Sequence, residues 1–315
     1  MAGLNPSPRR ESAAVVAAAA SFALAALKLA GFLWTGSTAL LASAADSAAD
    51  VVVSGVNALT VRAADAPPDQ GHPFGHGKFE HLGALGQALI LFGVGGGVLW
   101  SAARRGVDPE PLRDPWIGVG VSAVSLIGAL ALSRFLSRAG KRHDSPALSA
   151  DAAHYAADWL TNAGALFAIL AERLAGWGRV DPLVAALTAA AVLRLGWRTL
   201  TDAAGGLLDA RLAGEELALV RKVLEARAPV VRGYHDLLTR RAGPTRFIQL
   251  HIELDADLTF RETHRIVESV VRDLEQAIPR AVVTIHADPV PPLPDDGETA
   301  PVLETGAARE GLAGG

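Results

Sequence analysis

Apolar residues dominate the first two thirds of the chain, in six runs that short polar segments separate. Each run is close to the ~20 residues that a helix needs to cross the hydrocarbon core of a bilayer. The pattern therefore predicts six membrane-spanning helices. They lie at residues 12–34, 39–62, 82–104, 114–138, 147–172 and 180–205. A cleaved signal peptide is the alternative for the first run, but the runs that follow it favour a first spanning helix.

In the last third of the chain the periodicity becomes that of a small soluble domain. Helical spacing occurs at 214–227 and 261–278, and strand-like sequence occurs at 230–241, 245–255 and 281–287. The order αββαβ is typical of an α+β domain, in which helices cover one face of an antiparallel-rich sheet.

These patterns divide the chain into four segments. They are an N-terminal segment at 1–11, a transmembrane domain at 12–208, a soluble domain at 209–290 and a tail at 291–315. The tail is rich in proline, glycine and acidic residues, and we expect it to be disordered.

The distribution of basic residues predicts the orientation of the chain. Six spans place both termini on one side of the membrane. That side would carry Arg9, Arg10, Arg62, Lys78, Arg134, Arg138, Lys141, Arg142 and Arg198, and the opposite side Arg104, Arg105, Arg113, Arg173 and Arg179. Because lysine and arginine are enriched on the cytoplasmic side of membrane proteins, the difference favours cytoplasmic termini.

Composition narrows the possible partners and metal sites. Half of the residues are hydrophobic and 20% are charged, which suits a chain that is part membrane and part soluble. The net charge of −4 gives no basic character that would indicate nucleic-acid binding. The chain has no cysteine, which excludes disulfides and thiolate metal sites and leaves imidazole and carboxylate as metal ligands.

Two pairs of ionisable residues lie inside predicted spans. Asp46 and Asp50 occur in the second span, and His154 and Asp158 in the fifth. Each pair is spaced i, i+4 and shares one helix face. A charged side chain near the bilayer centre costs roughly 2.5–3.5 kcal/mol on insertion scales, so we expect these residues to be functional.

A metal ion would account for this cost. If the second and fifth helices pack together, three carboxylates and one imidazole converge in the tetrahedral arrangement that Zn²⁺ favours. The alternative is that each residue lines a polar helix contact and binds nothing. Asn57 and Asn162 are expected to hold helices together in that way, and Lys28 is expected to extend toward one membrane face.

A loop between the second and third spans holds a second candidate cluster. Asp69, His72 and His76 are separated by glycines, which let the backbone fold around an ion. Solvated histidines that bind nothing are the alternative, and spacing alone leaves both possibilities open.

The soluble domain holds a third candidate cluster, composed of His235, His251, His286 and Asp288. On its strand His251 lies opposite the row of Ile and Leu, and His286 and Asp288 share one face by period two. His264 lies on the helix between these strands. Scattered surface histidines remain the alternative from spacing.

Several long strings, taken together, resemble the cation diffusion facilitator family, close to its bacterial zinc and ferrous-iron efflux type. The strings are TGSTALLASAADSAADVVVSG, DQGHPFGHGKFEHLGAL, SADAAHYAADWLTNAG, GYHDLLTRRAGPTRFIQLHIELD and TIHADP, and the likeness runs in order over residues 12–290. The resemblance implies a dimeric metal/proton antiporter in the bacterial inner (plasma) membrane. It also implies a ferredoxin-like, metallochaperone-like cytoplasmic domain.

The resemblance also implies a role for each cluster. The residues that match the family's transport site are Asp46, Asp50, His154 and Asp158. Those that match its loop site are Asp69, His72 and His76. Those that match its cytoplasmic binuclear site at the dimer interface are His235, His251, His286 and Asp288, with His264 as an additional histidine. Lys78 and Asp209 match a charge pair that steadies the dimer where the membrane and soluble domains meet.

The expected function is export of a divalent metal ion from the cytoplasm in exchange for protons. In the family an Asp/Asp/His/Asp transport set goes with zinc and cadmium, so Zn²⁺ is expected first, and Cd²⁺ and Fe²⁺ stay open. A membrane-anchored zinc sensor is the alternative. A metalloenzyme is not expected, because four protein ligands would leave no open coordination position.

Overall fold

The computed structural model describes residues 8–35, 38–107, 115–175, 180–290 and 303–304. The chain divides into two compact units between Leu207 and Leu208. Most of the predicted N-terminal segment and most of the predicted tail lie outside the described residues.

The first unit is built from six long helices, each of 27 to 30 residues. At 1.5 Å per residue each is about 40 Å long, which exceeds the ~30 Å hydrocarbon core of a bilayer. The helices are α1 (Pro8–Thr35), α2 (Thr38–Ala64), α3 (Lys78–Val107), α4 (Pro115–His143), α5 (Pro146–Ala175) and α6 (Val180–Leu207).

Four of these helices are long and apolar enough to cross a membrane by length and composition. Within the described ranges they are α1, α3, α4 and α6. The other two, α2 and α5, contain the ionisable pairs. The structure confirms a helical membrane domain, and six crossings remain a prediction.

The six helices pack in pairs through small residues. The most extensive contacts are α3 with α6, α4 with α5, and α1 with α2. On α1, Ala13, Ala14 and Ala17 are almost fully buried against Leu132 and Leu136 of α4. Alanine at these positions lets the helix backbones approach closely.

The second unit is a sheet covered by helices. Its elements are α7 (Gly214–Glu225), β1 (Gly233–Ala242), β2 (Thr245–Asp255), α8 (Phe260–Ala277), β3 (Ala281–Val290) and β4 (Leu303–Glu304). The first five confirm the predicted αββαβ order. The short β4, inside the predicted tail, pairs with the start of β1.

The expectation of an antiparallel-rich sheet is wrong, because two of the three strand pairings among the described residues are parallel. The strand order is β3-β2-β1-β4, and β1 pairs antiparallel with β2 as a hairpin does. However, β3 runs parallel to β2. The reason is that α8 connects these two strands, and such a helical crossover returns the chain in its starting direction.

Alternation along β2 positions the core of this unit. Ile248, Leu250, Ile252 and Leu254 are at most 2% exposed and pack with residues of α7 and α8. The intervening residues, including His251, therefore project from the opposite face of the sheet. This alternation places the histidine face away from the helices.

Gly206 provides a test of helix packing in the first unit. A Cβ atom there would lie 2.1 Å from Cε1 of His81, whose side chain is buried. We expect Gly206→Ala to destabilise the protein by about 1–3 kcal/mol, because a buried ring would have to move. Thermal unfolding of the purified protein in detergent measures this effect.

Gly97→Ala is the matched control, since it is the same change in α3 at a position with no atom within 4 Å of the added Cβ. We expect it to be neutral or slightly stabilising, because alanine favours a helix. Equal melting temperatures for the two variants would contradict the close approach at Gly206.

Candidate metal centres

The first candidate centre lies between α2 and α5, which are in contact, as the metal interpretation of their ionisable pairs requires. His154 Nε2 lies 3.1 Å from Asp50 Oδ1 and 3.7 Å from Asp158 Oδ2. Ligand atoms of the three residues all lie within 4.8 Å of one another. His154 is 3% exposed, so the imidazole is buried between the two carboxylates.

Asp46 was predicted in this set, but it is not part of the group that the described residues form. Its side chain is exposed, although its charge interacts with Asp50 and His154. The difference arises because Asp46 lies one turn nearer the start of α2 than Asp50. The structure therefore brings three of the four predicted ligands together.

A buried carboxylate beside this centre was missed by the sequence analysis. Asp151 is fully buried on α5. It accepts long hydrogen bonds from Ser54 Oγ at 3.5 Å and from Gln87 Nε2 at 3.4 Å. Its spacing of seven residues from Asp158 puts both on one helix face, which is the signal that could have revealed it.

Lys28 does not extend toward a membrane face as the sequence predicted. It is 9% exposed, and its Nζ donates a hydrogen bond to Ser47 Oγ at 2.7 Å. Its charge interacts with those of Asp46, Asp50 and Asp158. The physical reason is that nearby carboxylates provide the counter-charge that a lysine otherwise finds at the membrane surface.

A buried ion network joins the starts of α1, α3 and α5. Arg10 Nη1 donates a hydrogen bond to Glu80 Oε1 at 2.6 Å, and Arg10 also pairs with Asp65. The fully buried Glu80 accepts hydrogen bonds from Ser145 Oγ and from the Ala147 backbone N–H. Sequence reasoning treated Arg10 only as part of the charge bias across the membrane.

The second candidate centre is in the loop between α2 and α3, where all three predicted residues meet. His72 Nδ1 and His76 Nε2 each lie 3.4 Å from an oxygen of Asp69. The tight turn includes Gly75 at φ +82°, a conformation that glycine adopts readily. Nδ1 of His76 lies 3.3 Å from the Ala66 carbonyl, which orients the ring toward Asp69.

The backbone of the loop favours an ionised carboxylate. The His72 N–H donates a hydrogen bond to Asp69 Oδ1 at 2.6 Å and holds the pKa of Asp69 below its usual range. The charges of His76 and His72 act in the same direction. Asp69 is therefore prepared to bind a cation without first losing a proton.

The third candidate centre lies on three neighbouring strands of the second unit. His235 is opposite His251 in the β1–β2 register, and His251 is opposite His286 in the β2–β3 register. Adjacent rings are 4.9 and 4.8 Å apart between centroids. Asp288 Oδ2 lies 2.8 Å from His251 Nδ1 and 3.0 Å from His235 Nε2.

Asp288 is the shared partner of all three histidines, since its Oδ1 also lies 3.3 Å from His286 Nε2. The hydrogen bond from His251 is the main reason that the pKa of Asp288 is held below its usual range. A β-bulge after His235 adds Asp236, at φ 50°, to the same neighbourhood. Sequence alternation cannot reveal Asp236, because a bulge breaks the period of two.

His264 does not join this cluster within the described part of one chain. It lies on α8 and pairs with Glu268 at 3.3 Å. Because α8 packs on the Ile and Leu face of the sheet, His264 is on the side away from His251. Its assignment to the cytoplasmic site remains a prediction.

Lys78 and Asp209 each have a partner within their own unit. Lys78 Nζ donates a hydrogen bond to the Leu207 carbonyl at 3.2 Å. Asp209 accepts one from Arg240 Nη1 at 3.4 Å. The predicted charge pair between them remains a prediction.

Comparison with known proteins assigns both units to one family. Residues 14–208 match the family model "Cation efflux transmembrane domain", and residues 212–290 match "Cation efflux protein, cytoplasmic domain". The chain belongs to the cation diffusion facilitator family. This membership confirms the resemblance on which the site assignments were based.

Individual relatives of this facilitator cover nearly all of it. Cation-efflux pump FieF of Pectobacterium atrosepticum is 38% identical over 284 residues, 90% of this chain and 94% of that protein. FieF of Serratia proteamaculans is 37% identical over 285 residues, again 90% of this chain and 94% of that protein. A solved structure of CzrB in its zinc form is 36% identical and covers 26% of this chain and 92% of that one, with a TM-score of 0.23.

The histidine row on the sheet provides a test of the third centre in this facilitator. We expect His251→Ala to lower the zinc bound per chain by at least about one equivalent, because His251 neighbours both other histidines and Asp288. Metal analysis of the full-length protein after equilibrium dialysis measures the loss. Gln249→Ala, on the same strand face, is the control and should keep the full content. Equal zinc content in both variants would contradict the cluster.

Proposed function

We propose that this facilitator is an antiporter that exports a divalent metal ion, Zn²⁺ first, from the cytoplasm in exchange for protons. Family membership supports the coarser statement that it moves metal cations. The observation that carries the proposal is the group of Asp50, His154 and Asp158 between α2 and α5, in which the imidazole is buried and both carboxylates are partly buried. An ion held there would lie inside the helical unit rather than at its surface.

The chemistry of the donors favours zinc. One imidazole nitrogen and two carboxylate oxygens are ligands that Zn²⁺ accepts, and this set has the three protein ligands typical of sites that exchange a fourth. Hard oxygens and one nitrogen hold the ion less tightly than thiolates would, which suits cargo that must leave. The name of the FieF relatives, cation-efflux pump, supports metal transport. Cd²⁺ and Fe²⁺ remain the other candidate cargoes.

Proton exchange follows from the protonation of the same ligands. A metal ion binds to deprotonated carboxylate and neutral imidazole, so its binding releases protons from these ligands. Conversely, protons that return to the ligands favour release of the metal ion. Histidine is the residue whose ordinary titration range is nearest to neutral pH. We therefore assign His154 the role of carrying a proton when the metal has left.

Alternating access would expose this centre to each side of the membrane in turn. Asp46 lies one turn from Asp50, and we propose that it completes the ligand set in a state in which α2 has moved. A metalloenzyme was not expected because four protein ligands leave no open coordination position. Because three ligands meet in this structure, hydrolysis is no longer excluded on that ground alone. The family's transport function is the stronger argument that this chain is not an enzyme.

We further propose that the loop and sheet clusters bind metal in a homodimer. Side chains of the sheet cluster are 26 to 67% exposed, which leaves room for ligands from a second copy. Lys78 and Asp209 would steady that dimer, and His264 would join its metal site.

A preformed cluster such as the one on the sheet also suits a zinc sensor, but a sensor has no need of the group between α2 and α5.

The topology proposed for this protein has six spans, cytoplasmic termini and a place in the bacterial inner membrane. The four segments are those predicted from sequence, with boundaries after residues 11, 208 and 290. Both family matches fall within the second and third segments. The basic residues favour the orientation.

Asp50 provides the direct test of the transport site. We expect Asp50→Asn to lower zinc flux into proteoliposomes by more than about tenfold, since it removes a charged ligand from the group. Asp202→Asn, at an exposed position of α6, is the matched control and should transport like the unmodified protein. If Asp50→Asn transported at the control rate, the site between α2 and α5 would not be the transport site.

A second measurement tests proton exchange. We expect an imposed proton gradient directed against the zinc flux to accelerate it, and a protonophore to abolish that acceleration. Internal zinc and internal pH, recorded with two dyes in the same vesicles, should rise together, because each zinc ion that enters is exchanged for protons that leave. Zinc flux that is independent of the gradient would refute antiport and leave uniport.

A further inference from the structure

The ammonium group of Lys28 is buried within the first unit. Lys28 is 9% exposed, and its donation to Ser47 Oγ at 2.7 Å joins α1 to α2. Ser47 is 4% exposed and directly follows Asp46. The ammonium therefore lies beside the helix that carries two of the proposed metal ligands.

The charge of Lys28 acts on every carboxylate of the proposed transport site. It interacts with Asp50, Asp46 and Asp158, each of which carries a negative charge when ready to bind metal. The fourth carboxylate of the region, Asp151, has separate donors in Ser54 and Gln87. In its protonated form Lys28 is thus a cation among the charges that attract the cargo.

Charge balance explains why a cation would be placed there. Three carboxylates carry three negative charges, and a divalent ion neutralises only two of them. An unbalanced charge is costly inside a membrane domain. The ammonium neutralises the third when metal is bound, and it stabilises the carboxylates when metal has left.

We propose that Lys28 is a positioning residue that acts as a built-in counter-cation and holds the affinity of the transport site low enough for a divalent ion to leave. The inference rests on the proposed function of Asp46, Asp50, His154 and Asp158. At an illustrative separation of roughly 8 Å, repulsion between a unit charge and a divalent ion raises the dissociation constant by about sixfold to about a thousandfold, for effective dielectric constants of about 80 to 20.

Loss of the Lys28 charge should change metal affinity in the direction opposite to that expected from loss of a structural contact. If Lys28 only joined α1 to α2 through Ser47, its loss would leave metal affinity unchanged or weaken it. If its charge repels the cargo, removing that charge must tighten binding. It must also slow release, so that turnover at saturating metal falls.

The experiment measures zinc binding to the full-length protein in lipid nanodiscs. His76→Ala and His251→Ala are present in every sample, so that calorimetric titration with Zn²⁺ reports the centre between α2 and α5. We expect Lys28→Met to tighten the dissociation constant by about tenfold or more. Lys28→Arg, which keeps the charge, should stay within about twofold of the parent.

Two further variants control the result. Lys28→Gln removes the charge but retains a donor for Ser47, and it should tighten binding like Lys28→Met if packing at Lys28 is not the cause. Lys141→Met is the same substitution at an exposed position of α4 and should leave affinity unchanged. Unchanged or weaker binding in both neutral Lys28 variants would overturn the proposal, as would equal tightening in Lys28→Arg or Lys141→Met.

Asp50→Asn in the same background separates this inference from the proposed function. If it still bound zinc like the parent, the site itself would be misassigned. If it lost the ion while the neutral Lys28 variants kept the parent affinity, only the role of Lys28 would be wrong.

Discussion

The contact between α2 and α5 is the constraint on which the rest of the structure depends. It places an imidazole between two carboxylates in a medium that penalises charge, so each surrounding helix must supply something that makes the arrangement tolerable. From α1 comes the ammonium of Lys28, and from α3 comes the amide of Gln87. The arrangement of the helical unit can therefore be understood as a polar centre enclosed by small-residue packing.

Most of the helices and strands, and most members of the three clusters, could be predicted from the sequence. Long apolar runs are a strong signal for helices, and the alternation in β2 identified the buried row of Ile and Leu. Clusters within one loop, such as Asp69, His72 and His76, are predictable because local spacing largely determines whether their side chains can meet. Asp50, His154 and Asp158 were predictable for a different reason, since charge in an apolar run is costly enough to indicate function.

What could not be predicted depends on contacts between distant segments. Nothing local indicates that Arg10 meets Glu80, or that Lys28 bonds to Ser47 instead of reaching a membrane surface. His264 was grouped with the sheet histidines through the family resemblance, and sequence does not indicate that α8 packs on the opposite face of the sheet within one chain. Asp46 and Asp50 look equivalent in sequence, and only the packed helix shows that Asp50 is partly buried and Asp46 exposed.

The sheet cluster differs from the other two because backbone pairing, rather than side-chain packing, aligns its residues. His235, His251 and His286 stand in a row since three strands are held in one register. A substitution elsewhere in these strands leaves that row intact, whereas an inserted or deleted residue within β2 turns every following side chain to the other face. During evolution this domain is therefore free to vary its surface by replacement, but its strands must keep their length between the metal ligands.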